Sequence, residues 1–184
     1  MGKIPSKILG SEFFNRKTLR VAQELLGSML VRKIDGKISR YKINEVEAYI
    51  GPHDLACHSS RGRTRRTEIM FGDPGTIYMY FIYGMYWMLN IVTEKKDYPA
   101  AILIRGVEGI SGPGRLTKEL QLNGKLNGKI ANPENGLWFE KSSEALHSKF
   151  IKRTPRIGVA YSGKWAEKKY RFILLKSNKK SPNT

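Results

Sequence analysis

The sequence holds a single cysteine, Cys57, and only three histidines. One cysteine excludes an internal disulfide, which suits a reducing compartment and predicts a cytoplasmic protein. With one Cys and only three His in all, neither a metal site nor a cofactor is expected. Apolar runs are short. Arg, Lys, Asn or Glu interrupts each one before the roughly 20 residues that a membrane-spanning helix requires, and no membrane association is expected. The opening Met1-Gly2-Lys3-Ile4-Pro5 lacks the apolar core and cleavage site of a secretion signal. Glycine patterns that cradle phosphates or dinucleotides are missing, since Gly112-Pro113-Gly114 has the rest of neither. No Gly-x-Ser-x-Gly elbow occurs. Acidic residues are the scarcer sign of charge: 16 Asp and Glu face 33 Lys and Arg, for a formal +17. Such a surplus attracts polyanions, nucleic acid above all.

Bulk hydrophobic material is present. Of 184 residues 40% are hydrophobic, with seven Phe, nine Tyr and three Trp, enough for one domain over 1–176. Residues 177–184 read as a basic, disordered tail. Leu19, Ala22, Leu25 and Leu26 recur at helical spacing and predict a helix from Asn15 to Leu26, stopped at Gly27. Asp35-Gly36 between two strand-like runs predicts a hairpin whose second arm continues to Tyr49. Further strands are expected at 76–82, 86–93, 100–107, 137–139, 156–159 and 170–175, with a short helix from Gly112 to about Leu122. The remainder of 123–154 is polar and reads as irregular. Short strands, tight turns and few helices predict an α+β domain with a largely antiparallel sheet. Nothing calls for an oligomer, and a monomer is expected.

Three stretches carry candidate chemistry. In a regular strand Ile43, Glu45, Glu47 and Tyr49 share one face, placing two carboxylates and an aromatic ring near His58. Spacing alone fits an ion-paired sheet face as well as a site. Tyr78 and Tyr80 share one face of the next hairpin, while Met79, Phe81 and Tyr83 share the other. Tyr83-Gly84-Met85-Tyr86 sets large side chains at a tight turn, where a core covers them poorly. In a basic protein such rings serve as platforms or wedges for bases. Tyr78, Phe81 and Trp87 are expected inside, Tyr83 outside. Arg61, Arg63, Arg65 and Arg66 form a cation-dense loop, equally an ordinary exposed loop or a phosphate patch. Cys57 reads as a small filler beside His58, and His147 as surface.

Glu45-Val46-Glu47-Ala48-Tyr49-Ile50-Gly51-Pro52, followed by Asp54, Ala56 and His58-Ser59, resembles the active-site strand of the 3-methyladenine DNA glycosylase family. Pro74 to Tyr86, with Asn90 after it, is similar to that family's DNA-intercalating hairpin. Leu103-Ile104-Arg105, Gly112 to Leu116 and Arg156-Ile157-Gly158-Val159 follow in matching order, so the resemblance spans roughly residues 10 to 175. It implies a single mixed domain on a curved antiparallel sheet with a protruding hairpin, and a DNA repair glycosylase acting on alkylated purines in double-stranded DNA. Carried over, Glu47 is the general base, and Arg105 and a main-chain carbonyl, that of Ile157, hold the attacking water. Tyr49, His58 and Tyr80 line the base pocket with Asn90 at its edge. Tyr83 fills the vacated position in the duplex, and Met85 and Tyr86 are minor-groove neighbours. Glu45 is the rival carboxylate, expected to pair with an arginine. A non-catalytic nucleic-acid-binding module on the same fold is the alternative reading. His53 and the segment 123–154 depart from the family pattern.

Overall fold

A computed structural model describes residues 7–142 and 148–175; His147 and the expected tail lie outside the described residues. Two helices open the fold, α1 (Ser11–Phe14) and α2 (Thr18–Leu25). The helix expected from Asn15 begins only at Thr18, because Lys17 takes a ψ of 122°. α2 then starts on a distant cap: the Glu94 carboxylate accepts from both the amide and the hydroxyl of Thr18, satisfying an orphan amide at the positive end of the helix. Val21, Ala22 and Leu25 bury the inner face of α2.

The Asp-Gly hairpin forms as expected between β1 (Met29–Ile34) and β2 (Lys37–Tyr49), with Asp35 and Gly36 at φ 48° and 79°. There follow β3 (Ile77–Ile82), β4 (Tyr86–Thr93), β5 (Ala100–Val107), β6 (Ile110–Ser111), α3 (Pro113–Glu119), β7 (Leu137–Glu140), β8 (Ile151–Thr154) and β9 (Arg171–Leu174). The strands build one antiparallel sheet in the order β3-β4-β5-β2-β1-β7, with β6 beside β5, β9 beside β2 and β8 beside β9. This is an open α+β sheet. No helix among the described residues is long and apolar enough to cross a membrane.

The segment 156–159 is not the expected strand. Pro155 precedes it, Gly158 sits at φ 76°, and the Ile157 amide is committed to a side chain elsewhere. The strand that precedes β9 is β8, inside the stretch read as irregular. It pairs with β9 alone, as an edge strand that needs no apolar alternation.

Alternation gives the sheet two different faces. Val46, Ala48, Ile77, Met79, Leu89, Ile91, Ile102 and Ile104 pack with α2 and α3 into the main core. The intervening residues, among them Glu47, Tyr49, Tyr78, Tyr80, Asn90, Ala101 and Leu103, point the other way. Ile43 breaks the expected shared face: it is fully buried in the main core. Two register shifts explain it. Ile43 opposes Val107, Glu45 opposes Gly106 and Val46 opposes Ile104, so Asn44 and Arg105 are extra residues, each without an opposite. A bulge of this kind re-aims side chains, and here it turns Glu45 to the side of Glu47 and Tyr49. Gly106 makes room for it, since a β-carbon there would stand 2.8 Å from Asn44 Oδ1.

Candidate active site

One row of paired residues crosses five strands on the face opposite the core. Tyr78 opposes Asn90, Asn90 opposes Leu103, Leu103 opposes Glu47, and Glu47 opposes Arg171. The two strand spacings from Asn90 to Glu47, about 10 Å in all, give the width of a flat bicyclic ring. Above the row lies a cavity of about 390 Å³, lined by Tyr49, His58, Tyr78, Tyr80, Tyr83, Asn90, Leu103, Arg105, Ile157 and Tyr161, among others.

The aromatic wall is held rigidly. Tyr80 packs edge-on to His58 with centroids 4.6 Å apart and lies 5.5 Å from Tyr78. His58 Nδ1 and the Tyr78 hydroxyl are 3.0 Å apart, and Arg66 Nη2 stands 3.3 Å from His58 Nε2. A guanidinium only donates, so Nε2 accepts and Nδ1 carries the hydrogen toward Tyr78. Burial, then the Arg66 and Arg61 charges, push the His58 pKa from 6.5 down to about 4. The imidazole is therefore neutral at physiological pH. Burial keeps the Tyr49 and Tyr80 phenols protonated as well.

Glu47 stands behind this wall with no exposed surface. All its polar partners line the cavity. Oε1 accepts from the Ile157 amide at 2.8 Å and lies 3.5 Å from Arg105 Nε, while Oε2 accepts from the Tyr49 hydroxyl at 2.9 Å. Burial raises the Glu47 pKa above its ordinary value, and Arg105, the Ile157 amide and the Tyr49 hydroxyl oppose that rise in descending order. Glu45 is the arginine partner expected, accepting from Arg105 Nε at 2.8 Å and Arg171 Nε at 2.7 Å.

The loop carrying Ile157 is anchored by a buried ion pair. Asp54 and Arg156 have fully buried side chains. Arg156 donates to both Asp54 oxygens, to the Ala48 carbonyl and to the Trp165 carbonyl. Asp54 also accepts from the Ile50 and Ala56 amides. The pair ties the loop after β2 to the loop after β8, one residue from Ile157. Its only sequence signal is position inside the two motifs already singled out.

Most predicted site residues converge. Tyr49, His58, Tyr80, Asn90, Arg105 and Ile157 line one cavity beside Glu47. Asn90 is buried wall rather than rim, its amide donating to the Tyr78 and Met88 carbonyls. Ile157 donates its amide to Glu47. At the hairpin tip Tyr83 is 85% exposed and Met85 65%. Tyr86 lies against α3, where a β-carbon on Gly114 would meet its ring at 2.8 Å. Phe81, expected inside, is 47% exposed beside the Trp87 ring, because it sits near the tip. The four arginines do not act alike. Arg63 pairs with Glu68 and Asp97 and stacks on Phe71. Arg61 and Arg66 instead line a second hollow of about 420 Å³ next to the first, and Arg65 is exposed. His53 packs edge-on to Trp165, Cys57 is buried beside Ser59, and Tyr161 joins both hollows without any earlier signal.

The site is a carboxyl behind an aromatic cavity, in a chain of formal charge +17. In comparison with known proteins, the chain belongs to the methylpurine-DNA glycosylase family, whose model matches residues 12–111 and 108–178. A protein of Legionella pneumophila (strain Corby), provisionally named a 3-methyladenine DNA glycosylase, is 44% identical over 171 residues, covering 88% of this chain and 91% of that protein. Proteins given the same provisional name in Methanocella arvoryzae and Wolbachia pipientis wMel are 42% identical over 185 residues and 44% identical over 179. These cover 90% and 92% of this chain, and 91% and 93% of their own lengths.

Proposed function

We propose that this protein is a monomeric, monofunctional DNA glycosylase that swings alkylated purines such as 3-methyladenine out of the duplex and hydrolyses their N-glycosidic bond. The observation that carries this reading is the Glu47 carboxyl, bound by three groups that all line one aromatic cavity. A stacked base cannot present its sugar carbon to a protein-held water, so it must be extruded at a cost of a few kcal/mol. Tyr83, projecting from the hairpin tip, offsets about 1–3 kcal/mol of that cost by stacking in the vacated position. Met85 and Tyr86 stand beside it toward the minor groove.

Inside the cavity Tyr49 and Tyr80 attract an alkylated, cationic purine by about 0.5–2 kcal/mol. His58, being neutral, adds no opposing charge. A cationic purine leaves with the bonding electrons as a neutral base, so no acid need protonate it. One carboxylate then suffices where most glycosidases use two. Glu47 stabilises the oxocarbenium-like sugar and takes a proton from water as the water oxygen bonds to C1′. The Tyr49 hydroxyl turns aside from Oε2 to admit that water, and Arg105 and the Ile157 carbonyl help to hold it. No lysine among the described residues lines the cavity as a Schiff-base nucleophile, so the product is an intact strand with an abasic site. Arg61, Arg65 and Arg66 contact phosphates.

The test is release of 3-methyladenine and formation of abasic sites in alkylated duplex DNA with chelator present. Glu47→Gln is expected to abolish both while binding survives, and Glu45→Gln to retain measurable activity. Failure of the unmodified protein to make abasic sites at any pH would favour a non-catalytic binding module. Loss in Glu45→Gln with activity kept in Glu47→Gln would reassign the base.

A further inference from the structure

Two of the tyrosine rings that line the cavity, Tyr80 and Tyr49, each have a guanidinium against them from outside. Arg66 Cζ lies 5.2 Å from the Tyr80 centroid, and Arg156 Cζ lies 4.8 Å from that of Tyr49. Both tyrosines line the cavity and neither arginine does. Arg66 borders the neighbouring hollow instead, in an exposed position from which it also reaches His58 Nε2. A ring attracts a cation through its quadrupole. A guanidinium already engaged on one side weakens that attraction for a second cation, and adds its own positive charge beyond the ring. A cationic purine in the cavity therefore gains less from Tyr80 than a bare ring would give it, while a neutral base loses nothing.

We propose that Arg66 is a specificity-determining residue which, by holding the outer side of Tyr80, lowers the pocket's preference for cationic over neutral purines. The inference rests on the glycosylase reading and concerns the same cavity. Arg156 stands in the same relation to Tyr49, but it is locked to Asp54 and cannot be changed without disturbing the fold. Arg66 can.

The experiment measures equilibrium binding to three duplexes carrying a 2′-fluoro sugar at the test nucleotide, which slows glycosidic cleavage. They bear cationic 7-methylguanine, neutral hypoxanthine, or no lesion. At pH 8 His58 is neutral in every protein compared. Arg66→Met is expected to raise the ratio of affinities, cationic over neutral, by about three- to ten-fold, the scale of a cation–π contact regained. Arg66→Lys, which keeps the charge, should leave the ratio at the original value. Arg65→Met should weaken all three complexes together without moving it. An unchanged ratio in Arg66→Met, with lesions still bound better than undamaged DNA, overturns this inference alone. A rise in Arg66→Lys equal to that in Arg66→Met overturns its electrostatic basis. Equal binding of all three duplexes by the unmodified protein overturns the glycosylase reading as well.

Discussion

Burial lifts the Glu47 pKa above its ordinary 4.5, and its three partners do not cancel the rise. The folded state therefore favours the protonated acid relative to the unfolded chain. That contribution to stability is complete below the unfolded pKa and is lost as pH rises through the folded one. In its ionised form Glu47 is a net strain on the fold, and that form is the one the proposed mechanism uses. Glu47→Gln should thus raise the melting midpoint, by about 2–4 °C for each kcal/mol recovered, while excision disappears; calorimetry beside the abasic-site assay checks both. Excision by the unmodified protein should also fall off on the acid side at a pH above 4.5. His58 has the opposite sign. Its pKa falls from 6.5 to about 4, so its contribution is complete above 6.5 and is lost as pH falls toward 4. His58→Asn is expected to lose less stability than the original protein between pH 7 and pH 5 in urea titrations. Equal losses in the two would show that His58 does not titrate as its burial demands.

At the scale of elements, the β3–β4 hairpin separates binding from stability. Tyr83 and Gly84 both occupy the left-handed region, at φ 51° and 64°, which drives the tyrosine ring outward from the turn. With 85% of Tyr83 exposed, Tyr83→Ala should leave the melting midpoint within about 1 °C, as exposed sites do. Excision should slow about ten-fold or more under single-turnover conditions, as the stacking contribution is lost. Asp54→Asn tests the contrary case. It breaks a buried pair and leaves Arg156 uncompensated, costing about 3–5 kcal/mol in chemical denaturation, although neither residue touches the cavity. Local features of this kind were unequally legible in the sequence. Both hairpins could be read from their turns, and alternation along β3 puts Tyr78 and Tyr80 on one face, whereas only the family resemblance brings Tyr49 and His58 to them. The bulge at Asn44 and Arg105 could not, because it depends on the register between β2 and β5, strands more than fifty residues apart. The same bulge decides which residues join Glu47, so Ile43, which simple alternation groups with the site, belongs to the core. The Asp54–Arg156 tie was hidden for a similar reason: it joins two loops whose meeting only the folded sheet determines.

Over the whole molecule a formal charge of +17 is a weak guide, since many basic proteins share it; what discriminates is where the cations are free to act. Arg63 is neutralised by Glu68 and Asp97. Arg61 and Arg66 border a hollow adjoining the aromatic cavity, and Arg65 is exposed. Each cation that meets a phosphate releases a counterion and steepens the dependence of affinity on salt, by about 0.9 in the logarithmic slope on duplex DNA. Arg61→Ala, Arg65→Ala and Arg66→Ala should each flatten that slope by about 0.9, whereas Arg63→Ala should leave it unaltered. Undamaged duplex is the right ligand for this measurement, because it reports phosphate contact without a flipped base. If Arg63→Ala flattens the slope as much as Arg61→Ala, the ion pairs of Arg63 do not survive on DNA and the loop binds as one undivided patch. If none of the four moves the slope, the duplex lies elsewhere on the surface, and the hairpin tip cannot be the wedge that enters it.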